Sequence, residues 1–70
     1  MDIKLKLVSD IYDFIEAAQK HPAGVRLRQD NYLVDGKSIL GVMALDLRRP
    51  IVCITEDEVY SDFESFVDKA

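Results

Sequence analysis

Four short segments of the chain have the polar and apolar pattern of β-strands. Segment 3–7 alternates apolar residues with lysines, and segment 25–28 alternates apolar residues with arginines. The turn signal Asp30-Asn31 separates the second segment from a short apolar run at 32–34. The two segments and the turn between them predict a β-hairpin. Segment 51–54 is apolar throughout, and this predicts a strand buried at the centre of the sheet.

Three further segments have helical spacing. Ser9-Asp10 predicts the N-cap and acidic first turn of a helix that ends near Lys20. Ser38 predicts the N-cap of a short helix over 39–46, and segment 55–58 has the capping-box pattern that predicts a last helix. The apolar face of the first helix consists of Ile11, Phe14, Ile15 and Ala18. The apolar face of the last helix consists of Val59, Phe63, Phe66 and Val67.

The resulting element order is β-α-β-β-α-β-α, which indicates an α+β domain. Right-handed crossover connections place strands one and two parallel, with one strand between them. Strand four fills that position, so the predicted antiparallel sheet has the order 1-4-2-3. The first and third helices are expected to cover one face of the sheet, and the second helix to lie near its edge, partly exposed.

Length and charge narrow the classes of function. The 70 residues predict a single domain over 1–70, and a formal charge of -4 argues against nucleic acid as a partner. No apolar run approaches the length of a membrane-spanning helix, so we expect a cytoplasmic protein without membrane insertion. Cys53 is the one cysteine and lies within an apolar run, which predicts a buried thiol and no intrachain disulfide.

The side chains that usually carry catalysis are mostly missing. The sequence has no glycine-rich phosphate loop and no cluster of histidines, so we expect no enzyme, no metal site and no cofactor. The acidic group at 56–58 is explained by helix capping. His21, the one histidine, follows the first helix, whereas a phosphoryl group is stabilised at a helix N-terminus.

Ser38 is the residue with the strongest candidate function. An N-cap role alone explains a serine at this position, but a phosphate there would also face free backbone N–H groups. The helix after it has more apolar residues than one core can bury. Ser38 is therefore either an N-cap alone or a candidate regulatory phosphorylation site. We expect the helix after it to form an exposed, partner-binding apolar surface made of Ile39, Leu40, Met43 and Leu47.

Segment 36–43, with the sequence Gly-Lys-Ser-Ile-Leu-Gly-Val-Met, closely resembles the Lys-Ser-Ile-Met-Gly-Val-Met segment of the HPr phosphocarrier proteins. That family belongs to the bacterial phosphoenolpyruvate-dependent sugar phosphotransferase system. The resemblance implies an HPr-like open-faced β-sandwich with helices on one face. It makes Ser38 the counterpart of the serine that a dedicated kinase phosphorylates in many members. Ile39, Leu40 and Met43 correspond to residues that meet enzyme I, transporter components and a transcriptional regulator.

The sequence departs from the family at the phosphoryl-carrying site. In HPr proteins a Gly-Leu-His-x-Arg-Pro motif opens the first helix, and its histidine carries the phosphoryl group. Segment 4–11 here has no Gly, His, Arg or Pro. We therefore expect a divergent member, monomeric or weakly dimeric, that binds phosphotransferase-system or carbon-regulation proteins through the Ser38 helix. The alternatives are a phosphocarrier with an unrecognised acceptor and an interaction domain unrelated to sugar transport.

Overall fold

The computed structural model describes residues 1–68, which form a four-stranded antiparallel sheet in the order β1-β4-β2-β3. The strands are β1 (Asp2–Ile3), β2 (Arg26–Gln29), β3 (Tyr32–Asp35) and β4 (Ile51–Ile54). β4 lies between β1 and β2 and pairs with both. The predicted strand order and the central position of the apolar strand are therefore confirmed.

The first strand is shorter than predicted. Its alternating pattern extends to Leu7, but pairing with β4 ends at Ile3. The backbone N–H of Lys4 then donates to the carbonyl of Phe66, so the C-terminal segment replaces the strand partner. Leu5 is fully buried, whereas Leu7 is 65% exposed. The predicted strand over 3–7 was therefore too long, because the chain turns into the first helix at Leu7.

Helix α1 spans Val8–Gln19, and its N-cap lies two residues before the N-cap predicted at Ser9. The N-cap residue is Leu7, whose side chain has no polar atom to cap the helix. Asp10 supplies the cap instead, because its carboxylate accepts from the backbone N–H groups of Lys6 at 2.8 Å and Leu7 at 2.9 Å. This is the reciprocal half of a capping box. The predicted apolar face of α1 is buried as expected.

Helix α2 spans Ile39–Met43, and its predicted N-cap at Ser38 is confirmed. The helix ends three residues before the predicted boundary at 46. Gly41 explains how α2 packs closely against β3, because a Cβ atom there would lie 3.3 Å from the Cβ of Val34 and 3.4 Å from the carbonyl oxygen of Asp35. The 3.3 Å distance is shorter than most contacts of a Cβ atom, so a larger residue at position 41 would require Val34 or α2 to shift slightly.

The C-terminal helix, Asp57–Phe66, is a 3-10 helix without the predicted capping box. Its N-cap is Glu56, and the hydroxyl of Thr55 donates instead to the carbonyl of Gly24 at 2.8 Å. Three residues per turn align side chains at spacing i, i+3 and i+6. The aromatic residues follow that spacing at Tyr60, Phe63 and Phe66, which brings Phe63 and Phe66 against α1.

The core lies between the sheet and the helices α1, α2 and the C-terminal 3-10 helix. Its fully buried side chains are Phe14, Phe63, Ile3, Leu5, Leu27, Ile51, Val25, Val42 and Cys53. The predicted burial of Cys53 is confirmed, and burial raises the pKa of its thiol to about 11.

The raised pKa of Cys53 predicts slow thiol chemistry in the folded chain. Near pH 8 a shift of two pKa units lowers the thiolate fraction about 100-fold, so alkylation should be at least about 100-fold slower than in denatured protein. Because the folded pKa lies above the ordinary value of 9.0, stability should fall as the pH rises from 9 to about 11. Stopped-flow labelling and urea titrations of wild type and Cys53→Val measure both effects. Rapid labelling of the folded protein near pH 8 would contradict this prediction.

Candidate functional site

Ser38 lies in a tight turn that joins β3 to α2. Its side-chain Oγ accepts from the backbone N–H of Gly41 at 3.3 Å, as an N-cap serine does. The turn before it is held by Asp35, whose carbonyl accepts from the N–H of Ser38 at 3.1 Å. The carboxylate of Asp35 accepts from the N–H of Lys37 at 2.9 Å. Ser38 itself is only half-buried.

The helix after Ser38 presents apolar side chains on its outer surface. Leu40 is 80% exposed, Met43 48% and Ile39 37%, whereas Val42 is fully buried. Leu47, which was predicted to be exposed, is partly buried against the core. Leu47 is therefore less exposed than predicted, because its side chain packs against the core after the end of α2. We define the α2 patch as Ile39, Leu40 and Met43.

A second set of exposed apolar residues lies at the start of α1. Leu7, Val8 and Tyr12 are 65%, 54% and 53% exposed. Val8, Tyr12 and Gln19 share one face of α1, since they are spaced four and seven residues apart. The C-terminal end of that face contacts the turn before α2, because the side-chain amide of Gln19 donates to the carbonyl of Lys37 at 3.3 Å. The sequence pattern did not indicate this exposed set, because segment 3–7 was expected to be a strand that ends at Leu7.

Lys37 links the turn before α2 to the C-terminal end of α1. Its ammonium group donates to the carbonyl of His21, which follows the C-terminus of α1. A cation at this end of a helix also interacts favourably with the helix dipole. The two helices that carry exposed apolar residues are therefore held together next to Ser38.

Gln29 is a buried polar residue whose side chain fixes the loop after α2. Its side chain is 5% exposed and accepts from the N–H of Asp46 at 2.9 Å. Its amide donates to the carbonyls of Asp46 at 2.7 Å and Arg49 at 3.3 Å. The predicted second strand ended at Arg28, so the sequence did not place Gln29 in the sheet, and no local pattern showed that its partners lie in the loop after α2.

The loop after α2 also contains an exposed ion pair. The guanidinium of Arg48 donates to both carboxylate oxygens of Asp46, at 3.1 and 3.2 Å. These hydrogen bonds, together with one from the Arg48 backbone, lower the pKa of Asp46 below its usual range. Arg49 forms a separate ion pair with Asp30 in the β2–β3 turn. The basic pair Arg48-Arg49 is therefore engaged with carboxylates of the same chain.

The start of α1 offers no histidine for phosphoryl transfer. The backbone N–H groups of Lys6 and Leu7 there already bind the carboxylate of Asp10. His21 lies at the opposite end of α1, as predicted. Its Nε2 is 2.7 Å from a carboxylate oxygen of Asp62, and this pair links α1 to the C-terminal 3-10 helix.

Within residues 1–68, no group of three or more His, Cys, Asp and Glu side chains lies close enough together to hold a metal ion. Within the same range no helix has the length and apolar character needed to cross a membrane.

Comparison with solved structures identifies the fold. The crystal structure of Crh, the Bacillus subtilis catabolite repression protein, matches with a TM-score of 0.65 and covers 91% of this chain and 76% of Crh. The chain has the HPr-like fold. Sequence identity to Crh is 22%, so the likeness establishes the shared α+β architecture alone. Crh was crystallised as a dimer with a swapped domain.

The HPr-like fold confirms the architecture that the resemblance of segment 36–43 implied. No protein-family model matches the chain. No curated protein matches it either.

Proposed function

We propose that this chain is a non-catalytic regulatory module, related to the sugar phosphotransferase system, that binds proteins through the Ser38 helix. The observation that carries the proposal is the exposure of Leu40, at 80%, two residues after the capped Ser38. The shared fold with a Bacillus catabolite repression protein supports a role in carbon regulation. The acidic net charge of -4 and the engaged Arg48-Arg49 pair favour a protein partner over nucleic acid.

The apolar side chains exposed on both helices supply the partner surface. Tyr12 adds an exposed aromatic side chain on the face of α1 that contacts the turn before α2 through Gln19. Aromatic residues and methionine are typical of the buried centres of protein interfaces. Leu40 has the most exposed side chain of this surface, so we expect it to be the main anchor in a partner's pocket.

Phosphorylation of Ser38 would act as a switch on this surface. A kinase would transfer the terminal phosphoryl group of ATP to Oγ, with loss of the hydroxyl proton and release of ADP. The phosphate oxygens would accept from the Gly41 N–H that Oγ now binds at 3.3 Å, so the helix would keep its cap. The added charge would lie beside Ile39 and Leu40 and would change which partners bind the patch.

The proposal excludes phosphoryl transfer through histidine. His21 is held by Asp62 at the wrong end of α1, and the carboxylate of Asp10 occupies the N–H groups before that helix. A carboxylate at this point would repel a phosphoryl group by like charge. The chain would therefore bind partners without relaying phosphoryl groups from enzyme I to a sugar transporter.

Two phosphorylation reactions test the proposed function. With HPr kinase and ATP, we expect one acid-stable phosphoryl group on wild type and none on Ser38→Ala, detected by mass spectrometry. Ser9→Ala is the matched control, because Ser9 is an exposed serine in the other helix, and it should be labelled like wild type. With enzyme I and phosphoenolpyruvate, we expect no label.

The outcomes separate the alternatives. Acid-labile label from enzyme I would show a phosphocarrier with a different acceptor and would overturn the proposal. Absence of label on Ser38, combined with unchanged partner binding by Ser38→Asp and Leu40→Asp, would leave an interaction domain unrelated to sugar transport.

A further inference from the structure

The two edges of the sheet differ in how they are protected. At the β1 edge, Ile3 forms a bridge with Val67, and the N–H of Lys4 donates to Phe66. The C-terminal segment therefore covers that edge. β3 forms the opposite edge, and among the described residues no strand pairs with its outer side.

The backbone of β3 presents unpaired groups along this outer side. The N–H of Gly36 donates to the carbonyl of Val25, which fixes the hydrogen-bonding pattern of the β2–β3 ladder. In an antiparallel pair the hydrogen-bonded residues alternate. Tyr32 and Val34 therefore bond to β2, whereas the backbone groups of Leu33 and Asp35 point away from it. The carbonyl of Asp35 accepts from Ser38, which leaves the Leu33 N–H and carbonyl and the Asp35 N–H.

The side chains of β3 lack most of the usual protection of an edge strand. Exposed edges are normally protected by short length, by charged residues such as lysine, by proline or by a bulge. β3 is short and carries one charge, Asp35, but it has no lysine or proline, and its ladder with β2 is regular. Two of its large apolar side chains are exposed instead, Tyr32 at 71% and Leu33 at 54%.

We propose that the β3 edge pairs with the β3 edge of a second copy of this chain, giving a continuous eight-stranded antiparallel sheet. The register follows from the outward-pointing residues, with Leu33 opposite Leu33 of the second copy. The two Leu33 residues would exchange both backbone hydrogen bonds. Tyr32 would then lie opposite Val34, which is a favourable aromatic and β-branched pair.

Charge favours the same register. Asp35 of each copy would lie opposite Asn31 of the other, so the two Asp35 carboxylates would not face each other. Each carboxylate would instead lie near the side-chain amide of Asn31, which can donate a hydrogen bond to it. Exposed Arg26 and Arg28 lie on the adjoining strand, directly across from Asp35 and Leu33. They lower the repulsion between two acidic chains at this edge. A second copy therefore fits this edge better than an acidic peptide, which Asp35 would repel.

The dimer is expected to be weak, because pairing of one short strand buries less than about 1,200 Å². It would place both α2 helices on the same face of the joined sheet. Two copies of the partner surface would then be presented together, although the pairing itself does not depend on Ser38 or the proposed function.

Sedimentation equilibrium between about 10 μM and 1 mM tests the proposal. Wild type should dimerise with a dissociation constant of about 0.1 to 1 mM, and Leu33→Lys should raise that constant at least about 10-fold. Leu40→Lys is the matched control, since it adds the same charge at an exposed leucine outside β3, and it should dimerise like wild type. Circular dichroism checks that both variants fold.

Amide hydrogen exchange gives a second readout on unmodified protein. Protection of the Leu33 N–H should increase with protein concentration, whereas the Val34 N–H, which bonds within the chain, should be protected throughout. Wild type that stays monomeric at about 1 mM would overturn the proposal. So would a dimer lost in Leu40→Lys but kept in Leu33→Lys, or a slowly dissociating swapped dimer that Leu33→Lys leaves unchanged.

Discussion

Replacing Phe63 with alanine is expected to lower the free energy of unfolding by about 3 to 5 kcal/mol. The ring is fully buried and stacks on Phe14 with 4.9 Å between ring centroids. Phe66 packs edge-on against the same Phe14 ring at 5.3 Å. Removing Phe63 leaves a cavity between α1 and the C-terminal 3-10 helix. Because a domain of this length has a small core, the loss would equal most of its stability.

Urea denaturation followed by far-ultraviolet circular dichroism measures this effect. Tyr12→Ala is the matched control, because Tyr12 is an aromatic residue of α1 that is 53% exposed, and we expect a change within about 0.5 kcal/mol. A loss below about 1 kcal/mol for Phe63→Ala would show that the C-terminal 3-10 helix does not pack on α1 as described.

Replacing Gln29 with leucine is expected to cost about 2 to 3 kcal/mol, the second largest effect. The substitution keeps a similar side-chain size but leaves the N–H of Asp46 and the carbonyls of Asp46 and Arg49 without their hydrogen bonds. These hydrogen bonds are part-buried, so water would replace them only in part, and each group left without a partner costs about 1 kcal/mol or more. We also expect weaker partner binding, because the loop after α2 would no longer be fixed to β2.

Chemical denaturation and amide NMR spectra of Gln29→Leu check both parts of this prediction. The NMR changes should concentrate at 46–50 and in α2. Gln19→Leu is the matched control, since the Gln19 side chain is exposed and makes one 3.3 Å hydrogen bond to Lys37. Equal losses in the two variants would contradict a special role for the buried amide of Gln29.

The candidate site was predictable where it depends on local sequence. Ser38 precedes a helical apolar pattern, and its cap to Gly41 needs only residues three positions apart. The exposure of Leu40 and Met43 followed from an excess of apolar residues on a short helix. Leu47 and Gln29 were different, because their environments depend on how the chain after α2 returns over the sheet. No pattern within one element contains that information.

By itself the sequence determined the order of the elements, the strand order β1-β4-β2-β3 and the burial of Cys53. These follow from hydrophobic periodicity and from the handedness of crossover connections, which act through each segment and its neighbours. Only the tertiary structure decided where β1 ends and which helical form the C-terminal segment takes. Lys4 bonds to Phe66, and Phe63 stacks on Phe14, so both outcomes depend on contacts between residues far apart in the sequence. Such contacts exist only once the whole chain has folded.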